Sequence, residues 1–163
     1  MRDRAPALLV AYIIGTFTLA FILAVMPVTG TWHALRPNLV VMVLIFWLLN
    51  NPRAIDIGSA CLIGLLFDAL CGGVLGQEAL SFTIVAYLVL LLHHRIQLFG
   101  TVLQTVLIFG LLELDQLIAI WVHVIMRGGS VVVYGVLNAL TGALCWPLLQ
   151  TAMNRYRRVF AGI

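Results

Sequence analysis

The sequence predicts an all-α membrane protein, a compact polytopic bundle of six transmembrane helices forming one integral membrane domain over residues 1–163. Three observations predict it. Of the 163 residues, 63% are hydrophobic and only 9% are charged, with a mean hydropathy of +1.13, a balance outside the range of soluble domains. The apolar residues fall in runs parted by short polar breaks. A crossing takes about 20 of them, so six crossings consume the chain and leave no soluble domain. The nine basic residues are all arginines, and they segregate to one side of a membrane once the runs alternate in direction. This balance offers nothing for a nucleic acid to bind.

Taken in order, the spans are expected at about 6–26, 37–50, 52–70, 79–93, 98–126 and 130–153. The first opens on Pro6, which a helix tolerates in its first turn. Its apolar run is too long for a signal peptide, and no small-residue cleavage site closes it. The second starts at Pro37. The turn N-N-P-R (50–53) leads into the third, with Asn51 read as the N-cap and Pro52 as the first helical residue. Asp56 then lies beside Arg53 in a first turn, where the helix dipole favours a carboxylate.

The fourth span stops at His93-His94-Arg95. The fifth is long enough to tilt or break, at Gly100 or Gly110. The turn R-G-G (127–129) leads into the sixth, which Pro147 should kink. Spans two to four are short. Asn38–Leu49 covers about 18 Å against a hydrocarbon core of about 30 Å. Either the ends extend, or the bilayer thins, or a re-entrant pair reduces six crossings to four; six is the preferred reading.

An inward N-terminus places Arg2, Arg4, Arg53, Arg95, Arg155, Arg157 and Arg158 in the cytoplasm and only Arg36 and Arg127 outside. Both termini are therefore expected inside. Trp32 and Trp121 then fall near outer ends and Trp47 and Trp146 near inner ends, as an interfacial belt. The basic tail N-R-Y-R-R (154–158) reads as an anchor on anionic headgroups. Cys61, Cys71 and Cys145 are odd in number and dispersed, the pattern of buried inert thiols. His33, His93, His94 and His123 lack ligand spacing, and the pair at 93–94 is expected to point in different directions. No metal or other cofactor is expected, and no motif names a catalytic residue.

Ionisable residues inside the apolar runs carry what functional signal there is, because each is costly in lipid unless partnered or employed. Reflection through Pro52 brings Arg36 and Asp68 to one depth near the outer face, which suggests a structural ion pair. A proton relay is less favoured because no chain of ionisable groups crosses the bilayer. Glu113, Asp115 and Gln116 sit in the middle of span five, the two acids on different sides of the helix. Reflection through Gly128 puts Ala143 and Thr141 opposite them. Internal hydrogen bonding, a water-filled cavity or a partner's span would each account for them. Gly135, Ala139 and Ala143 form a small-residue packing stripe, as do Ala7/Ala11, Ala20/Ala24 and Ala60/Gly64. Such stripes serve internal packing more often than an oligomer interface, so a homodimer stays an open option.

R-P-N-L at 36–39, W-L-L-N-N-P-R at 47–53, and G-L-L-F-D-A-L-C-G-G-V-L-G-Q-E-A-L at 64–80 followed by V-A-Y-L at 85–88 resemble, in order and spacing, the rod shape-determining protein MreD family. Arg36, Pro37, Gly64, Asp68, Gly72 and Gly76 match that family's motif, whereas Glu78 stands where histidine is expected. The resemblance implies a bacterial inner-membrane component of the elongation machinery that partners MreC. It also implies an indirect link from MreB filaments inside to the elongation glycosyltransferase and transpeptidase outside. The family looks similar in fold to the substrate-binding membrane subunits of energy-coupling-factor transporters. A non-enzymatic scaffold is thus the leading reading. A small-molecule binding or transport subunit of the energy-coupling-factor type is the alternative, and an intramembrane enzyme has no constellation to support it.

Overall fold

The computed structural model of the chain describes residues 4–26, 37–72, 75–127 and 135–161. They form six α-helices: α1 (Arg4–Val25), α2 (Leu39–Asn50), α3 (Ile57–Cys71), α4 (Gln77–Leu98), α5 (Thr101–Arg127) and α6 (Gly135–Ala161). No strand occurs among the described residues. Two stretches, Gln77–Ile96 and Val102–Val122, are each long and apolar enough to cross a membrane, whereas Leu9–Val25, Leu39–Asn50 and Ile57–Cys71 are apolar but shorter.

The arrangement is built around α2. Its sequence is apolar on every side, which suits a helix with neighbours all round, and every residue from Val40 to Leu49 is buried. The other five helices follow one another in space as α1, α3, α4, α5 and α6, with α6 returning to α1. Polar side chains lock the centre at one end. The Trp47 indole N–H donates to Thr16 Oγ1 at 3.0 Å, and Tyr12 lies edge-on to the same indole with ring centroids 5.3 Å apart. The Tyr12 hydroxyl donates to the Met153 carbonyl at 3.0 Å, so α1, α2 and α6 share one aromatic junction. A second aromatic series runs outward, with Phe21 of α1 stacked on Phe67 of α3 at 5.9 Å and Phe67 stacked on Phe82 of α4 at 6.0 Å.

This packing corrects the aromatic belt. Trp47 and Trp146 are 0% and 1% exposed, core residues and not interface anchors. An indole is large and apolar enough to fill an interior, and Thr16 satisfies the N–H of Trp47. Trp121 is exposed, and Trp32 lies outside the described residues.

The start of α3 also differs from expectation. Pro52, Arg53 and Ala54 form a turn, and the N-cap is Asp56. Asp56 Oδ1 accepts from the Ser59 N–H at 2.8 Å while the Asp56 N–H donates to Ser59 Oγ at 2.9 Å, a reciprocal box that satisfies two orphan donors at once. Asn51 instead closes α2, its N–H donating to the Trp47 carbonyl at 2.7 Å. At the other end, α3 stops where Gly72 takes the left-handed conformation (φ 65°), which a Cβ would strain.

Further boundaries shift outward. The fourth helix runs past His93-His94-Arg95, whose cationic end suits a helix C-terminus. The two imidazoles lie together, with centroids 4.0 Å apart. The fifth begins after Gly100 and continues unbroken through Gly110. The sixth continues through the basic tail with Pro147 inside it. Cys61 and Cys145 are half-buried, whereas Cys71 is exposed.

Small residues set the closest helix approaches. Only Ala60, Gly64 and Asp68 of α3 are buried, a stripe with helical spacing that faces α4. A Cβ on Gly64 would stand 2.5 Å from Ala79 Cα and 2.7 Å from Ala79 N, so two backbones meet there. In α6, Ala139 and Ala143 are buried, and Gly135 opens the helix. Gly142 is the tighter contact, where a Cβ would fall 2.7 Å from Leu112 Cδ1. That pairing reflects α5 onto α6 through position 127, one residue from the expected mirror. In α1, Ala20 is buried but Ala11 is exposed.

Gly64→Ala should therefore force α3 and α4 apart and lower stability by about 1–3 kcal/mol. Gly110→Ala, with open space around it, should be neutral or stabilising by up to about 1 kcal/mol. Thermal unfolding of the detergent-solubilised protein checks both; equal melting temperatures would contradict the close approach.

Candidate functional site

Helix α4 begins at Gly76, which has φ 96° and no side chain with which to cap the helix. Its first amides would stay unpaired, which is costly wherever water is excluded. Asp68 supplies the missing acceptor from the neighbouring helix. Its Oδ2 accepts from the N–H of Gly76 at 2.9 Å and of Ala79 at 3.3 Å, and its Oδ1 accepts from Glu78 N–H at 3.1 Å. The carboxylate is 2% exposed. Three amides and the positive end of a helix dipole account for a buried anion at this position. Arg36, its expected partner, lies outside the described residues.

Asp115 organises the adjoining part of the site. Also buried, it joins three helices: Ser81 of α4 donates its hydroxyl to Asp115 Oδ1, and Asn38, just before α2, donates its amide to Asp115 Oδ2 at 3.2 Å. Asn38 stands at the N-cap position of α2 but makes no capping bond; its side chain is committed across the bundle. Glu78 completes the group, facing Asn38, Asp68 and Asp115. One of its oxygens, Oε2, is enclosed without a hydrogen-bond partner. The cluster thus draws on α3, α4 and α5 and on the entry to α2.

Glu113 and Gln116 go elsewhere. Two residues from Asp115, Glu113 lies off the cluster's face and is half-buried, as is Gln116. Glu113 Oε1 is enclosed and unpartnered, and so is Asn138 Oδ1 on α6. Of the sequence's site residues, Asp68, Gly76 and Asp115 therefore come together, Gly64 lies one turn from Asp68 on the same stripe, and Gly72 ends the helix that carries them. Pro37 precedes Asn38 at the entry to α2. Asn38, Ser81 and Glu78 were missed as members of the cluster. The available signal was a polar residue near a span's end, and no sequence spacing joins Asn38 at the N-cap of α2 to Glu78 and Ser81 of α4.

Fold and site together define an all-helical membrane protein whose buried polar groups tie its helices to one another. The family model of the rod shape-determining protein MreD matches residues 6–156. The rod shape-determining protein MreD of Haemophilus influenzae is 28% identical over 150 residues, 90% of each chain. The chain belongs to the MreD family, and its role is in determining rod shape. No solved structure matches it significantly.

Asp68→Leu, similar in size but without an acceptor, should leave three amides unpaired and cost about 1–3 kcal/mol or more. Asp68→Asn keeps one carbonyl oxygen and should cost less. Hydrogen exchange at Gly76, Glu78 and Ala79 is the direct readout, since only loss of this cap speeds exchange there selectively. At the other end of α3, the Ser59 backbone N–H, and then its hydroxyl, hold the exposed Asp56 carboxyl below its ordinary 3.8. A carboxyl lowered in the folded state stabilises above the unfolded value and loses that contribution as pH falls through the lower folded one. Acid titration of the melting temperature should therefore fall less steeply below pH 3.8 in Asp56→Asn, which keeps an acceptor but cannot titrate.

Proposed function

We propose that this protein is a non-enzymatic scaffold of the bacterial inner membrane, with six crossings and both termini in the cytoplasm. It binds MreC and through that contact links MreB filaments inside to the elongation glycosyltransferase and transpeptidase outside. The carrying observation is the family match over residues 6–156 on a chain whose central helix is packed on every side from Val40 to Leu49. In a transport subunit of the energy-coupling-factor type, by contrast, Asp68 and Asp115 would line a ligand cavity. Here Asp68 caps α4 and Asp115 holds Ser81 and Asn38. The six-helix count still fits a fold related to those subunits.

Glu113 and Gln116 are both half-buried, and the accessible part of a polar side chain in lipid favours a helix that brings a hydrogen-bond partner. The basic end of α6 lies on the same side as the other cytoplasmic arginines and suits the filament side.

Two measurements test the reading. Depletion should convert rods to spheres; cells that keep their shape but require a nutrient would support transport instead. Glu113→Leu should lower co-purification with MreC about three- to tenfold, the worth of one interhelical hydrogen bond in lipid. Glu113→Gln, which can still bond, should retain most of it. Unchanged recovery of MreC with both variants would remove Glu113 from the contact, and failure of the wild-type protein to recover MreC would reject the scaffold.

A further inference from the structure

The six helices do not present one hydrophobic thickness. Helix α1 has 22 residues, about 33 Å, and the apolar stretch Val102–Val122 of α5 has 21, about 32 Å. Both match a hydrocarbon core of about 30 Å. Helix α3 has 15 residues, about 22 Å, whereas the apolar stretch Gln77–Ile96 of α4 has 20, about 30 Å. The α3 flank is thus short by about 8 Å.

Helix α3 cannot lengthen. The Asp56–Ser59 box stops it at one end and left-handed Gly72 at the other. Near that second end Asp68 is tied to the first turn of α4. Tilting would only shorten the reach. The shortness of α2 is hidden in the core, but α3 lies at the surface. Leu62, Leu66 and Leu70 are each more than half exposed, beside Leu80, Tyr87 and Leu91 of α4.

A membrane of full thickness would bury the ends of α3 in hydrocarbon, Asp56 and Arg53 among them, which is strongly disfavoured. A thinned one leaves them at the interface. Arg53 and Arg95 are both exposed, Arg53 before the start of α3 and Arg95 near the end of α4, which the proposed topology puts at the cytoplasmic boundary. Asp56 is the carboxylate nearest Arg53 in sequence, and two arginines against one carboxylate leave this boundary with net positive charge.

We propose that the α3 flank holds a thinned patch of bilayer against the protein, with the anionic phosphate headgroups of its inner leaflet drawn to Arg53 and Arg95. This rests on the reading that α3 and α4 cross the membrane. Lipid bends where the helices cannot, because chain ordering in a fluid bilayer is softer than a capped helix end. The attraction of arginine for anionic headgroups supplies the charge preference.

The test uses the full chain with its three cysteines replaced by serine, in vesicles of 18:1 phosphatidylcholine and phosphatidylglycerol. Nitroxides are placed singly at Ile57→Cys, Leu62→Cys, Leu66→Cys and Leu70→Cys, and depth is read from oxygen and nickel-chelate collisions. Labels at 62 and 66 should lie deep, with those at 57 and 70 both at the hydrocarbon boundary although about 20 Å apart along the helix. Either end label lying more than about 4 Å below the boundary would overturn the proposal. So would lost oxygen collisions at Leu66 with spin–spin broadening, which would mean that a second copy covers the flank. A profile with no deep centre would mean that α3 does not cross, and would remove the span reading as well. Arg53→Gln combined with Arg95→Gln should reduce the preference of spin-labelled phosphatidylglycerol over phosphatidylcholine for the protein at least twofold; no change would overturn the headgroup part.

Discussion

One carboxylate holding three amides is the constraint on which the rest of the structure depends. Helix α4 starts at a glycine that offers no cap, in surroundings that offer little water, and Asp68 reaches across from α3 to pair with those amides. The geometry works only if the two backbones run close together. That closeness is the task of Gly64 one turn away, where even a methyl group would strike the α4 backbone. Cap and close contact therefore form one device. Asp68 sets the height of α4 against α3, and Gly64 sets the distance. Once α4 is placed, its Ser81 meets Asp115 and carries α5 into position, and Asn38 ties the entry of α2 to the same carboxylate.

Polar groups carry so much of the specificity because of the medium. In water, burial of leucine draws helices together; in lipid, a leucine facing an acyl chain and one facing another helix are nearly equivalent. What distinguishes one packing from another is then hydrogen bonding and the close approach of small residues. The protein uses both, at Asp68 and Gly64 on one side and at Asp115, Ala139 and Gly142 on the other. The same logic accounts for the interior Trp47, which finds its acceptor in Thr16 without leaving the core. A scaffold gains from such an interior, because a body held by directional bonds presents its partners with one surface.

Much of the site was legible, though not its wiring. Asp68 and Asp115 stand out in the sequence because charges in apolar runs are rare, and the Ala60/Gly64 stripe because small residues recur at helical spacing. Equal depth pairs Asp68 with Arg36, which lies outside the described residues, while the backbone amides that Asp68 accepts from are hidden in the sequence. The start of α3 was placed five residues early, at Asn51 and Pro52, since N-P is a strong local signal and the Asp56–Ser59 box is quieter. Ser81 carries no signal in the sequence, and Glu78 only that it stands where histidine is expected, because polar residues near a span's end are ordinary.

By itself the sequence determined an all-helical membrane chain, its six segments and its membership of the MreD family. Those follow from summed hydropathy, from the glycines, prolines and acids that stop helices, and from motif order, all of which are properties of the chain read locally. Only the tertiary structure decided that α2 occupies the centre, that Trp47 and Trp146 face inward, and that Asp68 serves a neighbouring helix. Apolar side chains carry no label separating lipid from core, and the acceptors and donors that settle the matter lie on segments far apart in the chain.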